Sequence, residues 1–148
     1  IGGVVLASRV VAGGAFGPDE PIDKDRFYAG GGNSVRGYAE RALGPQDVLF
    51  GSPLGGTSLI VLNQEIRFPI YRWLRGVGFL DAGNVFYPEA PSAEGGLKLG
   101  YGAGLRIDSP VGLLRVDFGI PGSTLSSSSR SPNQLASGRW YFGIGHVF

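Results

Sequence analysis

Carboxylates and arginines are the residues best placed to do chemistry in this chain. Glu65, Asp81, Asp108 and Asp117 stand in stretches that otherwise alternate apolar and small residues. Paired carboxylates can share acid and base roles, but Asp108 and Asp117 each have an arginine nearby in phase, Arg106 and Arg115. A ladder of compensated charges fits them better than general acid–base work. His146 is the single histidine; it lies on an apolar phase beside Phe148, with no nucleophile or carboxylate partner suggested. Gly100-Tyr101-Gly102-Ala103-Gly104 imitates a nucleotide loop, but the strand-to-helix context and the final glycine spacing are missing. The remaining candidate is Arg36, in Arg26-Phe27-Tyr28-Ala29-Gly30-Gly31-Gly32-Asn33-Ser34-Val35-Arg36-Gly37-Tyr38. That stretch is too rich in glycine for a regular element, and it sets Phe27, Tyr28, Val35 and Tyr38 around the arginine. A guanidinium fork suits bidentate binding of carboxylates.

The rest of the composition excludes several classes. With no cysteine and one histidine among 148 residues, disulfide frameworks and cysteine- or histidine-based metal sites are out, and no cofactor is indicated. Thirteen basic against 12 acidic residues leave no basic excess that would point to nucleic acid. No apolar run approaches a membrane helix, but a transmembrane strand needs only about 9–11 residues. The chain begins Ile1 and has no methionine, so it is expected to be the C-terminal part of a longer protein.

The elements that would carry these residues are strands. Period-two alternation predicts a first strand within residues 1–16 and a second from about Thr57 to Tyr71, with Ile60, Leu62, Ile66, Phe68 and Ile70 in phase. It predicts a third from about Arg75 to Tyr87, a fourth from Leu97 to Asp108, and a fifth from Leu113 to Ile120. A sixth ends the chain from Arg139. Residues 17–58 read as a long connection broken by Pro18, Pro21, Pro45 and Pro53, and residues 121–138 as an exposed serine-rich loop. The chain is thus expected to be all-β.

The second face of these strands carries glycines and charges at mid-strand: Glu65, Arg67, Asp81, Arg106, Asp108, Arg115 and Asp117. A soluble sandwich with one wet face gives the same alternation. Long strands, alternating short and long connections, and aromatics at strand ends (Trp73, Phe86-Tyr87, Trp140) favour an antiparallel transmembrane β-barrel. Six strands cannot close one alone, since bacterial barrels have at least about eight.

Four stretches carry a resemblance. Phe27 to Tyr38, with Val35-Arg36-Gly37-Tyr38 at its centre, resembles the signature loop of the BamA/TamA outer-membrane assembly factors, the bacterial surface antigen family. Phe79-Leu80-Asp81-Ala82-Gly83-Asn84-Val85 resembles the family's next motif. Gly102 to Gly112, followed by Leu114-Arg115-Val116-Asp117, resembles the strand pair after it. The last strand resembles a C-terminal barrel signal in Tyr141, Gly143, His146 and Phe148, with His146 where an aromatic or other hydrophobic residue is usual.

The resemblance implies that residues 1–148 are the last six strands of a 16-stranded barrel in the bacterial outer membrane, with upstream POTRA domains. It implies that residues 17–58 fold back into the lumen, where Arg36 pairs with Glu65 and Asp81. The loop signature would comprise Gly30, Gly31, Val35, Arg36, Gly37 and Tyr38. The implied function is non-enzymatic: assembly and insertion of outer-membrane β-barrel proteins, or protein translocation. Implied partners are the lipid bilayer, unfolded outer-membrane protein clients and accessory assembly subunits, with no nucleic acid. A two-partner secretion transporter and a barrel anchor fused to an upstream enzyme are the alternatives.

Overall fold

The computed structural model describes residues 3–17, 25–47, 49–87, 96–124 and 138–145. Six strands run β1 (Val5–Gly14), β2 (Ser58–Tyr71), β3 (Leu74–Phe86), β4 (Lys98–Ser109), β5 (Gly112–Thr124) and β6 (Arg139–Ile144). They form one sheet in chain order, each pair of neighbours antiparallel. The fold is all-β, with no α-helix among the described residues.

The local sequence explains the hairpins. Arg72 and Trp73 alone separate β2 from β3, with Tyr71 opposite Leu74. Pro110 and Val111 separate β4 from β5; Gly112 follows at φ 126°, a conformation that glycine adopts without strain. These tight turns lie at one end of the sheet, and the C-terminal ends of β1, β3 and β5 point to the other.

One expectation fails. The fifth strand does not stop at Ile120 but runs to Thr124, through Pro121. Gly100 pairs with Pro121 and Lys98 with Thr124, so two residues of β5 stand against one of β4. A bulge tolerates a proline because the ladder is already interrupted there.

The two faces of the sheet differ sharply. On the outer face lie Leu6 (70% exposed), Ile66, Phe68, Leu80, Phe142 and Ile144 (76% exposed). Large aliphatic and aromatic groups line that face from β1 to β6, the opposite of a water-facing sheet. The inner face is covered by the connection between β1 and β2. Short bridges, Phe27 with Gly56 and Ala29 with Leu43, give that connection its own structure. The apolar core is the seam between the two: Ala29, Val35 and Leu43 of the connection against Val61 and Val85 of the sheet.

Candidate functional site: a buried arginine between loop and sheet

Next to this seam the loop inserts Arg36, which is 1% exposed. Its Nε donates to Asp81 Oδ2 at 2.7 Å and its Nη2 to Asp81 Oδ1 at 2.8 Å. Its backbone N–H also donates to Asp81 Oδ2, at 3.1 Å. Nη1 donates to Glu65 Oε1 at 2.6 Å and to Asp117 Oδ2 at 3.2 Å. The guanidinium carbon lies 3.6 Å from the centroid of the Phe79 ring, so the cation is stacked as well as paired. Burial alone would lower the pKa of Arg36. The Asp81 hydrogen bonds and the charges of Asp81 and Glu65 outweigh it and hold the group above its ordinary value.

The strand pattern dictates this meeting. Glu65 in β2, Asp81 in β3 and Asp117 in β5 all project inward and are fully buried. Between β3 and β5, strand β4 offers Gly100, Gly102 and Gly104 on the same face. A side chain at Gly100 would strike the Arg36 carbonyl, so the loop backbone lies directly on β4. Gly37 has φ 101°, and a Cβ there would come within 2.6 Å of the Ile120 carbonyl carbon. The Arg-Gly pair therefore needs the glycine on two counts.

The wall also carries its own cations. Arg67 Nε donates to Glu65 Oε2 at 2.9 Å. Arg106 reaches Glu65 Oε1 at 3.2 Å and both oxygens of Asp117. Arg115 Nε lies 3.7 Å from Asp117 Oδ2, and its Nη2 donates to Asn33 Oδ1 in the loop. Asn63 Nδ2 bridges Ser34 O and Asp81 Oδ1, at 2.6 and 2.9 Å. Three strand carboxylates thus face three strand arginines, and Arg36 is a fourth cation brought by the loop.

The structure brings Glu65 and Asp81 together around Arg36. It adds Asp117, Arg106, Arg67 and Asn63, which the sequence did not single out for this cluster. Asp117 is not chiefly Arg115's partner; a glycine across the ladder (Gly104 opposite Asp117) leaves the room that lets arginines converge on it. Asp108 pairs instead with Arg75, at 3.2 Å and largely in the open. Val35 is fully buried in the core; Gly30 and Gly31 are buried with φ of 110° and 97°. Tyr38 donates to Gly122 O at 3.1 Å, and burial pushes its phenol up to about 12. Tyr141 and Gly143 sit on the inner face of β6. Tyr141 Oη accepts from Gly37 N–H at 3.0 Å and donates to Tyr38 O at 2.7 Å. Gly143 stands opposite Arg115. His146 and Phe148 lie outside the described residues.

Chemically the cluster is a clamp. Each of the three carboxylates is ion-paired with at least one guanidinium, and no described group of His, Cys, Asp or Glu is arranged to hold a metal.

Comparison with known proteins agrees with this architecture. Residues 3–148 match the Omp85 superfamily domain. Outer envelope protein 80, chloroplastic, of Arabidopsis thaliana is 33% identical over 140 residues, covering 89% of this chain and 15% of that protein. Outer membrane protein assembly factor BamA of Nitratidesulfovibrio vulgaris is 33% identical over 132 residues, covering 84% of this chain and 15% of that protein. The crystal structure of BamA from Haemophilus ducreyi lacking POTRA domains 1–3 aligns with a TM-score of 0.67 at 21% identity, over 94% of this chain and 30% of that one. The chain spans between 15% and 32% of the length of these curated relatives and of outer envelope protein 39, chloroplastic, of Arabidopsis thaliana. With a superfamily match across nearly its whole length, the chain belongs to the Omp85 superfamily.

Proposed function

We propose that residues 1–148 are the C-terminal six strands of a 16-stranded outer-membrane barrel that inserts or translocates other proteins. In this reading residues 17–58 are a loop folded into the lumen, and POTRA domains precede the barrel. The observation that carries the function is the superfamily match over residues 3–148, with a relative named as an outer membrane protein assembly factor. The apolar outer face supports a lipid-facing wall, and the Arg36 cluster supports a loop seated on the inside of it. Tyr141, Gly143, His146 and Phe148 are proposed as the barrel's own C-terminal assembly signal. The clients are unfolded outer-membrane β-barrel proteins, and accessory assembly subunits would dock outside this region. The bacterial outer membrane is the setting we propose. A chloroplast relative at the same 33% identity makes an organelle envelope the second reading.

The test places the full-length protein in liposomes and adds a urea-unfolded eight-stranded barrel protein. Folding is followed by its heat-modifiable gel mobility. Faster folding than in empty liposomes is expected. No acceleration overturns insertion; passage of an unfolded soluble protein into the liposome interior would assign export instead. Fractionation of source cells separates the bacterial from the organelle setting.

A further inference from the structure

Strand β6 ends the described sheet and is paired on one side only, through Arg139–Ile144 against Leu114–Gly119. Its inner residue Tyr141 sits directly opposite Asp117, one of the three carboxylates on Arg36. The Tyr141 ring packs beneath Gly32, where an added Cβ would lie 3.1 Å from Cδ1. Its hydroxyl then joins two successive residues of the loop, accepting from Gly37 N–H and donating to Tyr38 O. Those residues follow Arg36 immediately, so the phenol fixes the chain segment that delivers the guanidinium. No other described side chain of β6 hydrogen-bonds to the loop.

We infer that Tyr141 is a positioning residue that couples the place of β6 to the seating of the Arg36 loop. Drawing β6 away from β5 pulls the hydroxyl off Gly37 and Tyr38 and weakens the hold on Arg36. Unseating the loop removes the inner restraint on β6. The coupling is reciprocal because both motions draw on one pair of hydrogen bonds. Any strand that pairs with the other edge of β6 would therefore act on the loop through Tyr141. The bearing of Tyr141 on client insertion rests on the function proposed above, and the test reads the coupling with no client present.

The full-length protein in lipid nanodiscs is compared as wild type, Arg36→Ala, Tyr141→Phe and the double variant. Amide hydrogen exchange is read over residues 139–144. Tyr141→Phe keeps the ring under Gly32 and removes both hydrogen bonds. Losing two hydrogen bonds of ordinary strength should raise exchange in β6 roughly tenfold. Arg36→Ala should raise it by a similar factor while Tyr141 is present, and by less than about twofold in the Tyr141→Phe background. Unchanged β6 exchange in Arg36→Ala, or an equal rise with and without the hydroxyl, overturns the coupling. Should Tyr141→Phe fail to assemble, Arg36→Ala with native Tyr141 decides alone: a tenfold rise supports it and no rise refutes it.

Discussion

Asp81 accepts three hydrogen bonds from one residue, Arg36: from Nε, from Nη2 and from the backbone N–H. Glu65 and Asp117 each accept one from it and keep Arg106 as a second cation. The partners of Arg36 are therefore unequal. Loss of its guanidinium would leave Asp81, among the described residues, with the backbone N–H of position 36 and the amide of Asn63.

Arg36→Ala is expected to destabilise the seated loop by about 3 kcal/mol, the lower end of what breaking a buried ion pair costs. The wall arginines still compensate Glu65 and Asp117. In double-mutant cycles on the full-length protein, Arg36→Ala should couple more strongly to Asp81→Ala than to Glu65→Ala. Equal or absent coupling to the two would contradict the geometry.

Arg36→Lys should retain part of the function. A point charge reaches one carboxylate but cannot reproduce the two-pronged contact with Asp81 or the stack on Phe79. A deficit of about 1.5–3 kcal/mol is expected, the size of one charged hydrogen bond. Client-folding rates in liposomes compare the variant with Arg36→Ala, and a rate no better than alanine's would argue against it.

Gly100→Ala should unseat the loop without touching any charge, because the new methyl takes the place of the Arg36 carbonyl. Gly145→Ala is the control: no atom lies within 4 Å of its Cβ, although its φ of 99° makes it a strained position too. Protease cleavage between residues 25 and 57 should quicken in the first variant and change little in the second.

Val116 lies on the outer phase of β5, opposite Leu105 and Phe142. Val116→Arg should lower bilayer folding stability by about 2–4 kcal/mol if the strand centre lies at mid-membrane. Folding titrations in liposomes measure this, and a wild-type midpoint would reverse the assignment of faces.

Alkali should loosen the loop through Tyr38. Its phenol rises from 10.0 to about 12 on burial, so the folded state favours the neutral form. That contribution is complete below pH 10 and is lost as pH climbs through about 12. Tyr38→Phe cannot titrate, so the gap in loop accessibility between wild type and variant should open over that window. Parallel pH profiles would exclude the effect.

The long second strand was legible because its apolar phase runs unbroken from Ile60 to Ile70 apart from Gln64. Arg36 was legible because it is the single charged residue between Phe27 and Tyr38, among glycines and aromatics. Asp117 and Arg106 were not, because alternation assigns a face but never a neighbour. Only the register, with Asp117 across from Gly104, reveals the space that gathers arginines there. Pro121 misled for a similar reason, since a proline ends a strand unless a bulge beside it already interrupts the ladder. Of the seam only Val35 was singled out; the packing of Ala29 and Leu43 left no trace because an irregular loop has no period to read.

The self-compensated wall has a consequence for the order of folding. Glu65 finds Arg67 two residues away, and Asp117 finds Arg106 eleven residues away. Arg36 must close 29 residues to Glu65, 45 to Asp81 and 81 to Asp117. Short closures are cheaper and faster, so the hairpins can neutralise most of their charges before the loop arrives. Among the three carboxylates Asp81 alone waits for a distant cation, so loop insertion is expected to come late in the folding of this region.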